Sequence, residues 1–135
     1  MHIPSAGLVT RRLRQAIHGA TQDRIALADA YGRKGPEAEE ALADAQSMAA
    51  LRGKPFGSFS EEERSVAFQV FVFAEQWEQS LADANPPGSI REEALRAAKS
   101  YREVRLAVWG KTQLEALMSE GKSVSVQELL SRPVK

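Results

Sequence analysis

From Ser5 onward, apolar residues along the 135-residue chain fall three or four positions apart, the spacing that gives a helix one buried face. Val9, Leu13, Ile17, Ala20, Leu27 and Tyr31 keep that spacing around a polar gap at Asp23-Arg24. They predict a first helix over 6–31, capped by the Ser5 hydroxyl. Gly32-Arg33-Lys34-Gly35-Pro36 ends it, because glycine tolerates the left-handed position after a helix and proline suits the first position of the next. Ala38, Leu42, Ala45, Met48 and Leu51 mark a second helix over 36–52. Glu37, Glu39 and Glu40 open it, at the positive end of the helix dipole. Gly53 to Phe59 reads as a loop, with Phe56 and Phe59 placed to plug the edge of a core.

Ser60-Glu61-Glu62-Glu63 has the capping-box spacing and starts a third helix over 60–84. Its stretch Val66 to Ala74 is ambiguous, since β-branched and aromatic residues also suit a strand. Helix is favoured by the capping box before it, the helical sequence Glu75 to Ala84 after it, and the absence of a turn signal between. Val66, Val70, Phe73, Trp77 and Leu81 share one face, while Phe68, Phe71 and Val72 lie elsewhere around the cylinder. A helix apolar nearly all round is either central and buried or turned toward a partner.

Asn85-Pro86-Pro87-Gly88 is a hard stop, and Ser89-Ile90-Arg91-Glu92 is a second capping box. Ile90, Ala94, Ala97, Tyr101, Val104 and Val108 then form a seam of coiled-coil type. Leu114, Leu117 and Met118 extend this fourth helix over 90–119, with a bend at Gly110. Ser125-Val126-Gln127-Glu128 starts a short helix over 125–131, ended by Pro133. The expected fold is all-α, a single domain over 1–135, built as a four-helix bundle with a short fifth C-terminal helix. Leu-Ala-Asp-Ala occurs three times without a common period, so a solenoid is not indicated.

Composition strengthens this reading: 21 Ala and 12 Leu stand against four Ile and nine Val. The lack of cysteine removes disulfides, thiolate metal sites and cysteine nucleophiles. The longest apolar run, Val70 to Ala74, is far short of the roughly 20 residues of a membrane span. Met1-His2-Ile3-Pro4 lacks the features of a secretory signal, and Arg11-Arg12 is followed by charged and polar residues, so cytoplasmic residence is expected.

Catalytic chemistry is sparse. Gly110-Lys111-Thr112 and Gly121-Lys122-Ser123 resemble the tail of a phosphate-binding loop, but Arg105 and Ala116 stand where its first glycine is needed. The two histidines, His2 and His18, belong to no Glu-x-x-His pair. Glu37, Glu40 and Asp44 can share one helical face, as can Glu75 and Glu78, so a metal-dependent helical hydrolase is a third-ranked reading. The acidic groups at helix starts are explained by the dipole alone. No cofactor and no metal are expected. A DNA-reading helix-turn-helix over Gln113 to Arg132 is disfavoured by its short, weakly basic second helix. Val126, Leu129 and Leu130 suit a docking flap better.

Formal neutrality hides polarised blocks: +4 over 1–34, −7 over 35–85 and +3 over 86–135. Arg91, Lys99, Arg102 and Arg105 form a basic stripe beside the apolar seam of the fourth helix, free to contact phosphates or the acidic middle of the chain. The leading expectation is a non-enzymatic protein-interaction module, an adaptor, assembly subunit or inhibitor, acting on a protein partner or a second copy. Phe68, Phe71, Trp77, Tyr101 and Trp109 are its candidate anchors, because aromatics dominate interface energetics. The alternative is a nucleic-acid-associated protein using Arg11, Arg12 and Arg14 with Arg91, Lys99, Arg102 and Arg105 on one continuous surface.

Overall fold

A computed structural model describes residues 5–110. Among them the chain is all-helical: α1 (Ala6–Ala30), α2 (Pro36–Ala49), a 3-10 turn (Phe56–Ser58), α3 (Glu61–Asp83) and α4 (Ser89–Trp109). The expected helix over 125–131 and the extension of the fourth helix to 119 lie outside the described residues, as do Gly121-Lys122-Ser123 and the flap residues Val126, Leu129 and Leu130.

Local chemistry sets most of the boundaries. The Ser5 hydroxyl accepts from the Leu8 N–H at 3.2 Å and caps α1. At the other end, the Arg33 N–H donates to the Ala28 carbonyl and the Gly32 N–H to the Asp29 carbonyl, a Schellman closure with Gly32 left-handed at φ 66°. Pro36 occupies the first turn of α2. At α3 the capping box is complete: the Ser60 hydroxyl accepts from the Glu63 N–H, and the Glu63 carboxylate accepts from the Ser60 N–H. The second expected box does not form. The Gly88 carbonyl already accepts from the Glu92 N–H, so α4 begins one residue early, with Ser89 inside its first turn.

The ambiguous stretch is helical and central. Val70, Phe71, Val72, Phe73 and Ala74 are all buried. Five successive residues cover the whole circumference of a helix at about 100° each, so α3 is enclosed all round over this turn. α1 and α2 form one helical hairpin and α3 and α4 another, and the hairpins join through α1 and α3. The helices thus lie in the order α2–α1–α3–α4, with α2 and α4 at opposite edges. α1 and α3 run the same way: Gly57, just before α3, lies against Ala6, and Gly19 lies against Ala74 and Trp77.

The main core gathers Val9, Leu13, Ile17, Met48, Val70, Phe71, Phe73 and Val104, sealed by Phe56 and Phe59 from the loop. Thr10 fixes that loop, donating to the Ala6 carbonyl and accepting the Phe56 N–H, both at 2.8 Å. A second, thinner cluster of Ala28, Ala38 and Ala41 with Leu27 and Leu42 holds the turn end of the α1–α2 hairpin. Among the described residues no helix is long and apolar enough to cross a membrane.

Candidate functional site

Four of the five aromatic candidates converge. Phe68 meets Trp109 edge-to-face at 5.6 Å, and Phe71 lies 6.0 Å from Trp109 and 6.2 Å from Tyr101. Phe56 joins them, 5.9 Å from Trp109, with the Arg64 guanidinium carbon over its ring 4.9 Å from the centroid. The cluster closes the end of the molecule where α1 and α3 begin and α4 ends. Phe71 and Tyr101 are interior, whereas Phe68 and Trp109 are half-buried at the rim. Trp77 stands apart, against Gly19, where a Cβ would come within 3.1 Å of the indole Cδ1.

The large apolar side chains left on the surface are others: Tyr31, Leu81, Ile90 and Leu95. Leu81 ends the apolar face of α3 and Ile90 begins the seam of α4, so both lie at the free end of that hairpin. The seam is buried at Ala94, Tyr101 and Val104, but Ile90 is 58 % exposed. Periodicity assigns Leu81 and Ile90 to the buried face because the phase of a helix continues after its neighbours stop. No local signal in the sequence marks that point.

The basic stripe of α4 turns largely onto α3. Arg102 Nε and Arg105 Nη2 donate to the two oxygens of Glu75 at 3.1 and 3.0 Å. Arg105 is mostly buried, and its Nε has no acceptor among the described residues. Lys99 reaches Glu103 at 3.9 Å, and Arg91 donates to the Asn85 carbonyl at 3.5 Å. On α1, Arg12 bonds Gln15, while Arg11 and Arg14 are exposed and form no ion pair among the described residues.

One cation in the polar gap of the first helix's apolar pattern is the most buried cation among the described residues. Arg24 is 8 % exposed, its guanidinium carbon lies 3.7 Å from the Phe73 ring centroid, and it donates twice to the Asp23 carboxylate at 3.2 and 2.8 Å. Across from it on α2, burial raises the Asp44 carboxyl above its usual range; Glu40 adds to the rise and Arg24 opposes it.

A second polar group sits between α1, α3 and α4. Burial raises the Glu78 carboxyl, against the opposing field of His18. Burial also raises the Tyr101 phenol, helped by the Glu78 charge and opposed by Arg12. No hydrogen bond joins Glu78, His18 and Tyr101 among the described residues, so this is an electrostatic neighbourhood without the contacts of an acid–base relay. Among the described residues no group of three or more His, Cys, Asp or Glu is placed to hold a metal ion. No family model, curated protein or solved structure matches the chain.

Proposed function

We propose that this chain is a non-enzymatic, helical-bundle protein-interaction module, serving as an adaptor, assembly subunit or inhibitor. The observation that carries the reading is the pair Leu81 and Ile90, apolar and exposed at the free end of the α3–α4 hairpin. Burying both against a partner would remove their remaining exposed apolar surface from water, worth about 0.5–1.5 kcal/mol each. The aromatics favoured on sequence grounds are engaged inside the fold, so the contact falls to the peripheral apolar residues and the charges beside them. The nucleic-acid alternative is weakened because Arg102 and Arg105 already share Glu75.

Affinity capture from the source cells, comparing the natural chain with Leu81→Glu/Ile90→Glu and with Arg11→Glu/Arg14→Glu, tests the reading. The expected result is a stoichiometric protein partner lost with the first pair and kept with the second. Light scattering identifies a second copy as that partner. Recovery of nucleic acid, abolished by the arginine substitutions and by raised salt, would overturn the reading.

A further inference from the structure

The two ends of the bundle are finished differently. Where α1 and α3 begin and α4 ends, Phe56 and Phe59 from the loop, with Trp109, seal the core. Both inter-helix turns, 31–35 and 84–88, lie at the opposite end. Neither supplies a plug, since every residue of both is exposed except the half-buried Asn85. Three of the four large exposed apolar side chains gather there: Tyr31, Leu81 and Ile90. Each continues the core-facing phase of its own helix, after Ala28 on α1, after Ala74 and Trp77 on α3, and before Ala94 on α4. The core is therefore open at this end among the described residues.

Charge is divided between the two hairpins at the open end. The tip of the α1–α2 turn carries Arg33 and Lys34. Asp29 holds Arg33 at 2.6 Å, while Lys34 has no ion pair among the described residues. Glu37, in the first turn of α2, lies at the positive end of that helix. The α3–α4 side carries Asp83, Glu92 and Glu93 against Arg91 alone, and Arg91 donates to the Asn85 carbonyl at 3.5 Å. Asp83 accepts from Gln79, whereas Glu92 and Glu93 are exposed and form no ion pair among the described residues.

We propose that a second copy of this chain closes the open end, packing end to end about a two-fold axis that passes between the two hairpins. This deepens the interaction reading above and rests on it. Such an axis exchanges the hairpins, so the α1–α2 turn of each copy meets the α3–α4 turn of the other. Tyr31 then covers Leu81 and Ile90 of the second copy, and Lys34 meets its Glu92 and Glu93, twice over. The other end-to-end two-fold would set like turn on like, Lys34 against Lys34 and carboxylate against carboxylate. Charge therefore selects the exchanged arrangement. Four helices with axes 8–10 Å apart present an end on the order of 400 Å². That is about half of the roughly 800 Å² each side of a standard interface buries, so the pairing is reversible and grows with concentration.

Sedimentation velocity on the full-length chain, from micromolar to millimolar concentration, should show monomer passing to dimer and no larger species. Leu81→Glu/Ile90→Glu, Lys34→Glu and Glu92→Lys/Glu93→Lys should each stay monomeric over that range, with the helical circular dichroism of the natural chain. Glu93→Lys alone replaces the last if the double change disturbs the start of α4. Mixing the lysine and glutamate variants should restore a dimer, because both contacts then pair opposite charges again. A natural chain that stays monomeric to millimolar concentration would overturn the proposal. The interaction reading survives that result if affinity capture still returns a different protein, lost with Leu81→Glu/Ile90→Glu, and falls with the proposal if it returns none. A dimer indifferent to Leu81→Glu/Ile90→Glu or to Lys34→Glu, or a charge-swapped mixture that stays monomeric, would also overturn the proposal.

Discussion

Asn at position 23 should cost more stability than the combined replacement of positions 23 and 24. Arg24 has a side chain only 10 % exposed, and its charge is held by two hydrogen bonds to Asp23 and by the face of Phe73. Removing one partner of a buried pair leaves the other charge uncompensated, which costs about 3–5 kcal/mol in well-buried cases. Here Asn retains one acceptor, and Asp44 on α2 still acts electrostatically on Arg24, so Asp23→Asn should cost about 2 kcal/mol. Asp23→Asn/Arg24→Met removes the buried cation as well. Methionine fills similar volume and keeps a sulfur contact with the Phe73 ring, so the double variant should recover most of that loss. Urea unfolding, followed by helical circular dichroism and by the emission of Trp77 and Trp109, reads the difference. At a slope of 1–3 kcal/mol per molar, the single variant should lower the midpoint by about 1 M, and the double variant by less. A harmless single variant, or a double variant less stable than the single, would refute the account of Arg24 as a charge that needs its partner.

Three further outcomes are expected. Because the Glu78 carboxyl is raised above its ordinary 4.5, the native state holds its proton more tightly than the unfolded chain. Its contribution is therefore lost as pH rises from about 4.5 through the native value; Glu78→Gln should stabilise at neutral pH and match the natural chain in acid, by urea titrations at both pH values. Gly19→Ala should be near neutral, about 1 kcal/mol of helix propensity set against a 3.1 Å approach to Trp77, whereas Gly19→Val should destabilise and shift tryptophan emission. Arg33 is left-handed at φ 59°, so Arg33→Gly should raise thermal stability by about 0.5–1 kcal/mol despite losing the exposed bond to Asp29.

The helices were legible in sequence because their ends carry their own chemistry. Ser5, Ser60 with Glu63, Gly32 and Pro36 act within a turn of where they stand, so spacing alone locates them. Ser89 misled because the same spacing is present but the Gly88 carbonyl starts the helix first. The central place of α3 could also be read, since an enclosed helix must be apolar on every side. Burial at particular residues could not. Ile90 keeps the phase of a seam that its neighbours no longer cover, and Arg24 looks like a solvated charge until Phe73 and Asp23 are brought around it. Four of the five candidate aromatics come together in the fold, yet sequence cannot distinguish a ring that anchors a partner from one that anchors its own fold.

The order of the helices also decides what the charge blocks can do. α2 carries Glu37, Glu39, Glu40 and Asp44 and no cation, and it lies at one edge. α4 carries five basic residues against three acidic and lies at the other. With helix axes 8–10 Å apart, three steps across two intervening helices separate these edges by roughly 20 Å or more, beyond the screening length of about 8 Å at physiological salt. The carboxylates of α2 are therefore too far away to neutralise α4, and among the described residues only Glu75 of the central α3 reaches across to Arg102 and Arg105. Net neutrality thus conceals a molecule polarised across its width, acidic at α2 and basic at α4. Such a distribution orients an approaching partner more than it holds one. Salt should accordingly slow association with a charged partner while leaving the dissociation rate nearly unchanged. Stopped-flow or surface-based kinetics at two ionic strengths separates the rates, and a salt effect confined to dissociation would show that the charges act inside the contact instead.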